Sequence, residues 1–273
     1  MDGRWTRRGF LVASAVGAAA LAGCGKSQTP QTASRTAQAT TAAVEAASVS
    51  NLTWRSSIGD VKMIVMRPRE VSGPLPVCLA LHGEGEDANQ FVDMGLPPLL
   101  TATVRAGTRP FAVVAVDGGK QSWLGAPQKM LAEELPDWLT RAELADTPFA
   151  TLGVSGGAVG AFQYARTPGL TLYSALSPLL YTSWKDAEKS GIYTDEQQWQ
   201  QTEPMRNLTA IAGLPVSVYC GTEDAACPAA RDFADKAGSK TAVFAPGDHS
   251  ATYWKRVLPE VLRNIGDALG KKN

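Results

Sequence analysis

The stretch TLGVSGGAVG, residues 151–160, closes a run of apolar residues and passes at once into small ones. Its centre, Gly153-Val154-Ser155-Gly156-Gly157, has the spacing G-x-S-x-G. In that pattern a serine sits on a sharp strand-to-helix turn that lifts its hydroxyl clear of the backbone. A chain with 26 glycines can produce such a match by chance, so the setting must decide. Before Ser155 lies FATLGVS, a continuous apolar run of strand length beginning at Phe149. After it come Gly156, Gly157, Ala158, Gly160 and Ala161, small enough for a helix to pack against the turn. This is the strand–turn–helix context of a nucleophile; a structural serine in a glycine-rich turn is the alternative.

Working outward, five more apolar runs have the same character: LPVCLALHG ending at Gly83, FAVVAVDGG from Phe111, TLYSALSP from Thr171, LPVSVYCG from Leu214 and KTAVFAPGDH from Lys240. Runs that are apolar on both faces are expected of buried parallel strands. Two further strands flank the turn Gly59-Asp60. Helical patterns lie between most runs. Trp254, Val257, Leu258, Val261, Leu262, Ile265 and Leu269 keep helical spacing, with Pro259 expected to break or restart that helix. Alternating strands and helices predict a mostly parallel central sheet with helices on both faces, with sites beyond the carboxyl ends of the strands.

Partners for Ser155 are sought at those ends, because a serine hydroxyl needs an adjacent base. The chain has 2 histidines. His249 follows the last apolar run and precedes a helix, which suits a base. His82 follows the first buried run and suits the shaping of an oxyanion loop, where the backbone of Gly83 and Glu84 is placed to donate; a hydrogen-bonded structural histidine is the alternative for either. The acid that would hold the imidazole in one tautomer is expected after the fifth run, at Asp224, with Glu223 second and Asp248 third. The Gly156 amide, with one amide from the Gly83-Glu84 turn, is expected to hold the oxyanion.

The segments LPVCLALHGEGED, AVDGG, GVSGGAVGA, ALSP, VYCGTED and APGDHSATYWKRVLPEVL together resemble one group of α/β-hydrolases. It is the esterase family that holds esterase D (S-formylglutathione hydrolase) and the mycobacterial mycolyltransferases. The likeness spans roughly residues 60–268. It implies the α/β-hydrolase fold and acyl-serine chemistry carried by Ser155, Asp224 and His249, in that chain order. Gly156 departs from the pattern, since relatives often carry Met there. No His/Cys cluster has metal-ligand spacing, so neither metal nor cofactor is expected.

The N-terminus, MDGRWTRRGFLVASAVGAAALAGCGKS, reads as a processing segment. Thr6-Arg7-Arg8-Gly9-Phe10-Leu11 resembles a twin-arginine export signal, and Leu21-Ala22-Gly23-Cys24 resembles a bacterial lipobox. Residues 1–23 are therefore expected to be a lipoprotein signal peptide, with lipid on Cys24; a plain secretory signal is the alternative. Residues 24–50, rich in Ala, Thr, Ser and Gln, cannot bury enough surface to offset chain entropy and read as a flexible tether; residues 51–273 form the hydrolase domain. Export permits disulfides, and Cys220 with Cys227 is the candidate pair, leaving Cys78 as a buried thiol. The 26 basic and 26 acidic residues balance, which gives no sign of nucleic-acid binding.

The expected activity is a serine esterase on the outer face of the cell membrane, with an ester or acyl-lipid substrate and a membrane contact through the lipid anchor. Acyl transfer to a sugar or lipid alcohol is the nearest alternative, and a catalytically idle binding lipoprotein the alternative of another class. The oligomeric state is left open. The long stretch between the fourth and fifth buried runs, residues 179–213, carries Trp184, Tyr193 and Trp199 and reads either as a helical insertion over the site or as a surface excursion.

Overall fold

Eight strands form one sheet in the order β1-β2-β4-β3-β5-β6-β7-β8. The structure, a computed structural model, describes residues 47–118 and 122–270. The expected signal peptide, Cys24 and most of the expected tether lie outside the described residues. Strands β1 (Ser48–Ser56) and β2 (Gly59–Arg67) form the expected hairpin, and β1 begins three residues before the boundary read from composition. β2 pairs antiparallel with β4 (Ala112–Val116). Every later pairing is parallel: β4 with β3 (Val77–Leu81), β3 with β5 (Ala150–Val154), then β6 (Leu172–Leu176), β7 (Val216–Gly221) and β8 (Thr241–Ala245).

The parallel strands β3 to β7 are wholly buried, because helices cover both faces. Alternation assigns the sides. Val77, Leu79 and Leu81 of β3 face α3 (Ala126–Glu133), α4 (Leu135–Arg141), α5 (Gly157–Ala165) and α8 (Cys227–Lys236). Cys78 and Ala80 face the other layer, α1 (Gln90–Asp93), α2 (Leu96–Arg105) and α9 (Ala251–Ala268). Burial pushes the Cys78 thiol well above its ordinary pKa, and its core position leaves it unbridged, as expected.

Two expectations are corrected. Helix α9 does not break at Pro259; it runs from Ala251 to Ala268 through it. Proline removes one backbone donor and crowds the preceding turn. Here the packed stripe of Val257, Leu258, Val261, Leu262 and Ile265 holds the helix across that defect. Nor are Cys220 and Cys227 bridged. Cys220, next to last in β7, turns its thiol to the Asp224 carboxylate, at 3.5 Å, rather than to Cys227 at the start of α8.

Residues 179–213 fold as a helical insertion. It holds α6 (Trp184–Ala187), α7 (Glu196–Thr202) and three short 3-10 turns. Ile192, Tyr193 and Trp199 pack with Val159 of α5 and with Leu124. The insertion therefore covers the helix that follows Ser155. No helix among the described residues is long and apolar enough to cross a membrane.

Candidate active site

Ser155 stands one residue beyond β5 with φ of 54°, a conformation that L-residues rarely adopt outside strained functional turns. The flanking glycines make the turn sterically feasible. A Cβ on Gly153 would collide with the Gly157–Ala158 backbone, and one on Gly157 would collide with the carbonyls of Leu81 and His82. The turn is fixed to the neighbouring strand by Ser155 N–H donating to Leu176 O at 2.9 Å. The nucleophile candidate is thus held by backbone, with only 7% of its surface exposed.

His249 lies between β8 and α9, and its Nε2 is 2.9 Å from Ser155 Oγ. Its Nδ1 is 2.8 Å from Asp224 Oδ2. The two loops that carry Asp224 and His249 are joined directly: Thr222 N–H donates to Ala245 O and Glu223 N–H to Gly247 O, each at 2.9 Å. Gly221 allows this, since a Cβ there would strike the Gly247 carbonyl. Asp224 is 5% exposed, whereas Glu223 and Asp248 both face solvent. The side chain of Asp248 is engaged by the Ser250 hydroxyl. Of the three candidate acids the structure brings Asp224 alone to the imidazole.

Asp224 is well solvated by the protein. Its Oδ1 accepts from Ala226 N–H at 2.8 Å, and Oδ2 accepts from His249 and Cys220. Burial raises its pKa, but these hydrogen bonds outweigh burial and hold the carboxyl below the ordinary aspartate value. The Ser177 hydroxyl adds to that stabilisation and accepts from Trp254 Nε1 at 3.0 Å. Ser177 also takes a positive φ, 47°, at the end of β6. The Trp254 ring stands edge-on to His249 with centroids 5.3 Å apart. Ser177 and Trp254 thus tie the base loop to the sheet. Sequence reading gave neither a role in the site, although Ser177 lies in the ALSP segment just past a strand end and Trp254 in the helical stripe that follows His249.

The expected oxyanion residues Gly156 and Glu84 lie side by side. The Gly156 and Glu84 amides donate to no acceptor among the described residues, and a Cβ on Gly156 would stand 3.8 Å from Glu84 N. Gly83 is a correction. Its N–H donates to Gln90 Oε1 at 2.9 Å, so it is spent on anchoring the loop. Gln90 is a buried residue of α1 that sequence reading did not single out. His82 shapes the same loop: its Nδ1 bonds Gly83 O at 2.8 Å, and its Nε2 accepts from Gly118 N–H at 3.2 Å. Those bonds fix a neutral tautomer, and burial lowers its pKa further from protonation. Trp123 Nε1 donates to His82 O at 2.9 Å.

This strand order, with Ser155 after β5, Asp224 after β7 and His249 after β8, settles the architecture. The chain has the α/β-hydrolase fold. No family model matches the sequence, and no curated protein does. The fold is shared with solved structures. A ferulic acid esterase superposes with TM-score 0.65 at 18% identity, covering 82% of this chain and 99% of that one. An S-formylglutathione hydrolase from Staphylococcus aureus gives 0.64 at 16%, covering 81% and 100%. A thermostable esterase from Pseudomonas putida gives 0.59 at 19%, covering 82% of each. Among the described residues no group of three or more His, Cys, Asp and Glu side chains is placed to hold a metal ion.

Proposed function

We propose that this α/β-hydrolase is a serine esterase that cleaves carboxylic esters through an acyl-serine intermediate at the cell envelope. The relay from Ser155 Oγ through His249 to Asp224, with contacts of 2.9 and 2.8 Å, carries the reading. That its superposable neighbours include several esterases supports it.

Ser155 Oγ attacks the ester carbonyl carbon while His249 Nε2 takes the hydroxyl proton. Negative charge gathers on the carbonyl oxygen, where the unengaged amides of Gly156 and Glu84 receive it. Asp224 stays ionised, fixes the imidazole tautomer and stabilises the imidazolium. The tetrahedral species collapses, the ester C–O bond breaks, and His249 returns the proton to the departing alkoxide. Water then attacks the acyl-serine, gives its proton to His249, and the second collapse frees the acid and restores Ser155.

The test is a fluorophosphonate label followed by peptide mapping and an ester hydrolysis assay. The label should map to Ser155 and abolish turnover. Folded protein that neither labels nor hydrolyses esters rules the reading out. Attachment through Cys24 is part of the proposal, since the lipobox-like LAGC is followed by a polar tether with no membrane affinity of its own. Cys24→Ala should release the protein from membranes; a variant that stays with salt-washed membranes removes the anchor from the proposal.

A further inference from the structure

Glu84 places a carboxylate where an esterase would ordinarily avoid one. Its amide is one of the two unengaged donors that the proposed mechanism assigns to the oxyanion, so on that reading its side chain starts beside the developing charge. That side chain is exposed to solvent, yet it lies along the insertion rather than away from it. Its Cβ would lie 3.6 Å from a Cβ on Gly156, and its Oε1 lies 3.0 Å from where a Cβ on Gly191 would stand. The carboxylate thus bridges from the oxyanion loop to the insertion, beside Ile192, and its charge is felt by the Tyr181 phenol. Partial burial raises its pKa, and no described cation forms an ion pair with it. An uncompensated negative charge there opposes the charge that forms on the substrate. A substrate that brings its own positive or donating group to the carboxylate removes the conflict.

We propose that Glu84 forms a charge-selective subsite beside the scissile ester, one that accepts substrates carrying an ammonium or hydroxyl group there and rejects those carrying a carboxylate. The proposal rests on the serine esterase reading and adds its substrate class. Gly156 and Gly191 leave the room for the subsite, and Ile192 walls one side.

The experiment measures kcat/KM for two matched series. On the alcohol side these are the acetates of choline, of its neutral tert-butyl isostere, of glycerol and of glycolic acid. On the acyl side they are p-nitrophenyl butanoate, hemisuccinate and trimethylammoniobutanoate. In one series at least, the cationic or hydroxyl ester should exceed the carboxylate ester by ~10-fold or more, as expected for charges a few ångströms apart near a surface. Glu84→Gln should bring that ratio within about threefold, whatever its absolute rate. The cationic preference of the wild-type protein should shrink with added salt, while a hydroxyl preference should not. A wild-type ratio under about threefold in both series overturns the subsite, as does a ratio that Glu84→Gln leaves standing. If Glu84→Gln does not fold, a cationic preference indifferent to salt overturns it. Fluorophosphonate labelling on the same preparation separates the failures. Ser155 labelled with no charge preference sinks this inference alone; Ser155 unlabelled with no ester turned over sinks the esterase reading with it.

Discussion

Asp224→Asn tests the relay at its most discriminating point, because the wild-type hydrogen bonds dictate what the amide must do. Oδ1 accepts from Ala226 N–H and Oδ2 from His249, both at 2.8 Å, in a site 5% exposed. An asparagine of the same shape has one acceptor and one donor. If its oxygen serves Ala226, its NH2 faces His249 Nδ1 and forces the proton onto Nε2. His249 then presents a donor to Ser155 and cannot take its proton. If the oxygen serves His249 instead, two donors confront each other at Ala226, a buried mismatch costing about 1–3 kcal/mol. The first arrangement dominates, and kcat should fall by ~10⁴, the loss seen when the same change flips the tautomer in another serine hydrolase. That is about 5 kcal/mol of transition-state stabilisation. Steady-state hydrolysis of p-nitrophenyl acetate reads it, with thermal melting to confirm folding. Glu223→Gln, a change at an exposed neighbour, should cost less than about threefold. Asp224→Asn with more than about a tenth of the wild-type kcat, or Glu223→Gln the more damaging of the pair, would refute the reasoning.

Ser155→Ala and His249→Ala should each lower kcat by several orders of magnitude, and the double variant should be hardly worse, since the residues act as one unit; additive losses in the same assay count against the relay. Ser177→Gly removes the acceptor of Trp254 Nε1 but relieves a positive φ of 47°. Its melting temperature should therefore stay near wild type while kcat drops ~10-fold at unchanged KM, and an unchanged kcat shows that Ser177 does not position the site. Glu203, buried where α7 ends, accepts from Tyr193 OH at 2.6 Å, and burial raises its pKa from 4.5 to about 7. The folded state then holds more protons than the unfolded chain between those values, so stability should fall as pH rises through that window and level off above it. The loss amounts to about 3 kcal/mol. Thermal melts from pH 5 to 8 should show the decline in the wild-type protein and a flat profile in Glu203→Gln; a flat wild-type profile contradicts the assignment.

The parts of the fold legible in the sequence are those with a local cause. Strands β3 to β7 announce themselves because parallel strands covered on both faces need apolar or small residues at nearly every position; Thr151, Ser174 and Ser217 are the buried polar exceptions. The Ser155 turn is legible because the backbone contacts at Gly153 and Gly157 tolerate no side chain, which writes glycine into the sequence at fixed spacing. Strand order is different. That β4 inserts between β2 and β3 follows from how the whole sheet is covered, and no local pattern in Phe111–Gly119 differs from that of its neighbours. Similarly, Glu223 and Asp224 are adjacent acids in a loop without periodicity. Only the way β7 and β8 bring their ends together buries one and exposes the other.

The misassigned residues share a physical reason. Gly83 has the right position for an oxyanion donor, and a sequence can show that an N–H exists but not whether a distant acceptor has claimed it. Gln90, seven residues on, is such an acceptor, and its burial in α1 is a tertiary event. Cys220 and Cys227 have the spacing of a short bridged loop, yet the competing demand is the carboxylate of Asp224. A buried acid that must stay ionised gathers donors, and the Cys220 thiol is recruited as one of them. In both cases the satisfaction of buried polar groups overrides the local reading. The consequence for the proposed mechanism is specific: with Gly83 committed to Gln90, the unengaged amide left in that loop is that of Glu84, so the residue proposed to assist the reaction through its backbone is also the one whose side chain is proposed to select substrates.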